Sequence, residues 1–274
     1  MAFENSPFRQ GGASGYGAPT GYARGQVEVD QGLRAFMLGV YNNMVLGLAV
    51  SALVALGVNK LATTAVQAEA ARNSAGQVIR LGGSYLTQFG ATLYTTPLMW
   101  VVALAPLAFI FVFSFRMDRM SAASARTTFL AFAAVMGASL STLLLRYTGA
   151  SVVQVFFITA AAFGGLSLYG YTTSRSLSGM GSFLVMGLIG LVIASLVNIF
   201  LASSALQFAI SVIGVLIFAG LTAYDTQKLK EMYLYGNLDQ EAAAKVSVFG
   251  ALTLYLDFIN MFQFLLSLVG QRNE

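Results

Sequence analysis

Seven runs of about 20 predominantly apolar residues recur along the chain, each long enough for a helix to cross the roughly 30 Å hydrocarbon core of a bilayer. They lie at about 35–58, 97–115, 127–145, 152–171, 183–201, 206–224 and 246–269. None alternates with the period of two that a membrane barrel strand requires. The pattern predicts an all-α polytopic membrane protein with seven transmembrane helices in one membrane domain, residues 31–274. Residues 1–30, rich in Gly, Ser, Ala and Tyr, are expected to be disordered because they carry too little apolar surface to fold. The longest loop runs from about residue 60 to 96.

Details within the runs refine the picture. Pro97 suits the first turn of the second helix and Trp100 a membrane interface. Gly137, Ser139 and Ser141 in the third run, and Ala160-Ala-Ala-Phe-Gly-Gly165 in the fourth, predict close helix approach. Asn42 and Asn43 are expected against other helices rather than lipid, and Asn198 in an interhelical hydrogen bond.

Composition agrees with a membrane location: 57% of residues are hydrophobic, only 9% are charged, and the mean hydropathy is +0.73. With neither cysteine nor histidine, disulfides, thiol nucleophiles, His-based triads and Cys/His metal sites are excluded. The Gly-rich N-terminus lacks phosphate-loop spacing, and the spans hold no deep Lys to pair with a Ser nucleophile. No enzyme and no cofactor are expected. The formal charge of +4 is spread thinly over loops, which argues against a nucleic-acid partner. Ten of the fifteen Lys and Arg residues fall on the N-terminal side of a seven-span arrangement, so the N-terminus is expected in the cytoplasm. The C-terminus then lies outside unless the last run is re-entrant.

Two acids interrupt the final runs. Asp225 ends the sixth and Asp257 sits within the seventh, and ionisable residues at such depth mark functional sites by default. On the insertion scale a central Asp costs roughly 2.5–3.5 kcal/mol, and the Leu, Ile and Phe residues between 252 and 268 return roughly 3–6 kcal/mol, so the seventh run still spans. Gly250, Thr253, Asp257, Asn260, Phe264 and Ser267 recur at helical spacing on one face. Ser211, Gly214, Phe218, Thr222 and Asp225 do the same on the sixth run. Facing stripes would bring the two carboxyls together, where both cannot ionise cheaply and one proton is shared. A hard cation such as Ca²⁺ could replace that proton, with Asp225 and Asp257 as ligands and Thr222, Thr253 and Asn260 as secondary oxygens. Asp225 has a rival role as a surface acid paired with Lys228 or Lys230, and Asp257 as a polar packing contact. Simple helices would also leave the acids at different depths, so pairing requires tilt, a kink or an extended sixth helix.

Ala223-Tyr-Asp-Thr-Gln227, Leu254-Tyr-Leu-Asp-Phe-Ile-Asn260, Tyr171-Thr-Thr173 and Val197-Asn-Ile-Phe200 together resemble the Bax inhibitor-1 (YccA/YetJ, lifeguard) family, over about residues 33–270. The resemblance implies a last helix at the centre of six others and a pH-sensitive calcium leak channel of a bacterial inner membrane. It makes Asp225 and Asp257 the sensor and assigns a latch to Arg116 or Arg119 of the second helix. Lipid, Ca²⁺ and protons are the implied partners. Two alternatives stay open: a regulatory protein acting on a membrane protease or stress pathway, and a proton/cation antiporter. Ser176 stands where many members have an acid, and the 60–96 loop is long for the family.

Overall fold

The computed structural model describes residues 20–116 and 120–273, the side chains of 20–30, 112–114 and 116 apart. Eight α-helices follow in chain order: α1 (Thr20–Ala62), α2 (Gln88–Thr95), α3 (Leu98–Arg116), α4 (Ala122–Arg146), α5 (Gly149–Thr172), α6 (Ser178–Leu201), α7 (Ser204–Tyr235) and α8 (Gln240–Val269). Six of them are long and apolar enough to span a membrane alone, namely α1 and α4 to α8. The second expected span corresponds to α3, and α2 meets α3 at 67° across the break at Thr96–Pro97. Helix starts follow capping chemistry: the side chains of Thr87, Ser121, Thr148, Ser203 and Asp239 each accept a backbone N–H three residues on.

α8 lies at the centre. It is the most buried of the spans and packs against α1, α4, α5 and α7, whereas α6 is the least buried and rests chiefly on α7. α3 packs on α2 and α4. The expected surround is therefore in two shells, with four helices touching α8 extensively and α3 and α6 outside them. Phe200, Phe183 and Leu216 point outward into the apolar belt that lipid would cover. Small residues set the tightest crossings. A Cβ at Gly137 would overlap the Ser51 carbonyl of α1, and one at Gly170 the Ala223 carbonyl of α7.

Three expectations change. Helix α1 begins at Thr20, so residues 20–30 are helical rather than disordered; ordinary helix formers such as Gln26 and Glu28 extend an existing helix without a new nucleus. Residues 1–19 lie outside the described residues. Asn42 is exposed and Asn43 half-buried, because Val40, Met44, Gly47 and Ser51 form the inward stripe of α1. The 60–96 loop is folded: β1 (Thr63–Thr64), β2 (Arg80–Leu81) and β3 (Ser84–Leu86) form an antiparallel sheet in the order β1-β3-β2. With α2 it builds a small core of Ala62, Leu86, Leu93 and Tyr94 against Leu145 of α4.

The chain end is tied down beside this unit. Thr148 N–H donates to Gln271 O, Gln271 N–H to Ser151 Oγ, and Asn273 N–H to Arg146 O, each at 2.9 Å. α8 thus runs unbroken to the end of the bundle where α4 finishes, and is long and apolar enough to cross a membrane.

Candidate functional site

Asp225 and Asp257 face each other across the α7–α8 contact, and the register is set on both sides of them. On one side Ser211 Oγ donates to Ser267 Oγ at 3.1 Å. Gly214 admits the Phe264 ring, which an added Cβ would meet at 2.6 Å, and Phe264 stacks on Phe218 with centroids 5.9 Å apart. On the other side the Gly250 backbone receives Leu229. These are the two stripes legible in the sequence, and between their anchor points the carboxyls of Asp225 and Asp257 lie within hydrogen-bonding reach. The depth problem is met by helix length: α7 continues past Tyr224 to Tyr235, which puts Asp225 about 15 Å from the helix end at 1.5 Å per residue.

Burial is unequal. Asp257 is 4% exposed and Asp225 half-buried. Asp257 Oδ2 is enclosed and receives no hydrogen bond among the described residues. An ionised carboxylate only accepts, so contact between two of them becomes a bond when one carries a proton.

Neither lysine expected to compete for Asp225 makes an ion pair with it among the described residues. Lys230 Nζ donates to the Tyr171 carbonyl at 2.8 Å, at the negative end of α5. Lys228 is exposed, with its ammonium 5.9 Å from the Tyr224 ring, and acts on Asp225 only through space. Gln227 holds the α5–α6 link: its Nε2 donates to Arg175 O at 2.9 Å and its Oε1 accepts from Leu177 N–H at 2.7 Å. The motif around Asp225 and the Tyr171-Thr-Thr173 motif therefore belong to one construction.

The secondary oxygens are turned back onto their own helices. Thr222 donates to Phe218 O at 2.8 Å, Thr253 to Phe249 O at 3.2 Å and Asn260 to Leu256 O at 2.8 Å. Each keeps acceptor capacity but none bonds to a carboxyl among the described residues. Nor is there, among these, a cluster of three or more Asp, Glu, His or Cys. Ca²⁺ takes about 6–8 oxygens, more than two carboxyls supply. Arg116 ends α3 with its side chain outside the described set, and Arg119 lies outside the described residues altogether.

Residues 33–274 match the family described as inhibitor of apoptosis-promoting Bax1. The chain belongs to the Bax inhibitor-1 family. Related members include an uncharacterised protein of Caulobacter vibrioides, 48% identical over 260 residues that cover 95% of this chain and 98% of that one. The inner membrane protein YbhL of Escherichia coli is 42% identical over 247 residues, 90% of this chain and 95% of its own. The protein RP147 of Rickettsia prowazekii is 44% identical over 245 residues, 89% and 93% of the two chains.

This Bax inhibitor-1 member also carries polar groups that the sequence reading passed over. Tyr41 Oη bonds to Ser167 Oγ at 2.6 Å, and Ser167 Oγ to Thr226 Oγ1 at 2.9 Å, a chain linking α1, α5 and α7 next to Asp225. Ser51 Oγ meets Tyr255 Oη at 2.6 Å and donates to Ala133 O at 2.7 Å, tying α1 and α4 to the central helix. Hydroxyls on apolar helices are common, and only their helical phase relative to Asp225 and Asp257 could have singled these out.

Proposed function

We propose that this protein is a proton-regulated, calcium-permeable leak channel of the inner membrane, and that Asp225 and Asp257 form its sensor. One observation carries the reading: two carboxyls meet between the central helix and its neighbour, one of them enclosed, with no ammonium or guanidinium bonded to either among the described residues. Such a contact holds α7 to α8 while a proton is shared and pushes them apart once both acids ionise, since like charges at close range repel. Ionised, the same pair attracts a divalent cation, so loss of the proton both loosens the contact and favours Ca²⁺. YbhL is named as an inner membrane protein, which supports the same location here. The family resemblance assigns the latch to Arg116 or Arg119.

The test is Ca²⁺ flux into liposomes holding the purified protein, recorded against pH. A leak predicts non-saturating flux down the Ca²⁺ gradient, rising with pH as the shared proton is lost. Saturating exchange that needs an opposing proton gradient would identify an antiporter instead.

A further inference from the structure

α1 and α5 both flank α8, yet they share no extensive contact with each other. The seam between them is a groove of about 850 Å³, floored by Phe258, the residue after Asp257. It runs on, through Leu48, Ala52 and Phe156, into a second groove of about 540 Å³ that reaches Gly149 at the start of α5. From Arg34 to Leu56, α1 rises about 33 Å at 1.5 Å per residue, close to the hydrocarbon thickness of a bilayer.

Its charge is confined to one end. Arg34 lines the mouth, exposed, together with Tyr171, and the Lys230 ammonium lies 5.6 Å from the Tyr171 ring. Among the described residues no other charged side chain lines either groove. A cationic mouth over a long apolar trough complements a phospholipid, with the guanidinium on the phosphate and the acyl chain below it. The outward face of α6 is equally apolar, with Phe183, Ile193 and Ile199 exposed. It borders neither groove.

We propose that the α1–α5 groove binds one phospholipid with an anionic headgroup, phosphate at Arg34 and acyl chain over Phe258. Gly164 lines the groove, and a Cβ added there meets no atom within 4 Å. Gly164→Leu therefore starts from open space and narrows the trough, and Arg34→Gln removes the headgroup contact while leaving the trough.

The full chain, reconstituted in vesicles of phosphatidylethanolamine and phosphatidylglycerol, is photolabelled with phosphatidylglycerol carrying a diazirine on its acyl chain, and the labelled peptides are mapped. Label is expected to concentrate on 37–52 and 156–168 over the α6 face, and to be displaced better by unlabelled phosphatidylglycerol than by phosphatidylethanolamine. Gly164→Leu should abolish that enrichment with α6 labelling unchanged. Arg34→Gln should weaken the headgroup preference about fivefold, the worth of about 1 kcal/mol for one cation at an anionic surface. Even labelling of all outward faces, labelling untouched by Gly164→Leu, an unchanged headgroup preference in Arg34→Gln, or chain-to-chain crosslinks occupying the groove would each overturn the proposal.

Discussion

Substituting Asn for Asp257 nearly preserves the side chain's shape and gives it a permanent hydrogen-bond donor facing Asp225. The contact between α7 and α8 should then hold without a shared proton, so Ca²⁺ flux through Asp257→Asn is expected to stay low as pH rises. Flux assays in liposomes read this directly; a variant with the pH response of the unmodified protein would count against a sensor role for Asp257. Gly170 tests the scaffold instead of the chemistry. Its missing Cβ is what lets α5 reach the Ala223 carbonyl, and Gly170→Val should lower stability by roughly 1–3 kcal/mol, as overpacking does. Thermal unfolding in detergent would report it as a reduced Tm.

At the scale of elements, α7 does most of the organising. Its last turns lie beyond the apolar run, and they carry Asp225, the Gln227 bridge and Lys230 under α5. Gln227→Ala frees Leu177 N–H and Arg175 O together, at a cost of about 1–3 kcal/mol if they stay unpaired. Faster amide hydrogen exchange confined to residues 173–179 is the expected signature; unchanged exchange there would show that the link is held by other contacts. The spans and the two polar stripes were legible in the sequence because helical period and apolar length are local properties. The sheet at Thr63–Leu86 was not, since strands of two or three residues carry no pattern and their pairing depends on docking to Leu145. Asn42 misled for a related reason: its polarity suggested an inward face, while the phase of Val40, Met44 and Ser51 set the opposite one. The meeting of Asp225 and Asp257 could be argued only conditionally, because it hinges on how far α7 outlasts its apolar run.

For the molecule as a whole, a central helix pinned at its far end gives the acid pair something rigid to work against. Gln271 and Asn273 join α8 to the α4–α5 turn through several hydrogen bonds, each worth about 0.5–1.5 kcal/mol net. Ending the chain at Val269 should lower Tm while the pH profile of flux keeps its shape, since the tail begins about 18 Å along α8 from Asp257 at 1.5 Å per residue. Whether a shared proton between Asp225 and Asp257 regulates Ca²⁺ passage is read from the pH profile of Ca²⁺ flux in the Asp225→Asn/Asp257→Asn double variant beside the unmodified protein. Flux should rise with pH in the unmodified protein and stay flat in the double variant; the same rise in both would rule out a shared-proton sensor.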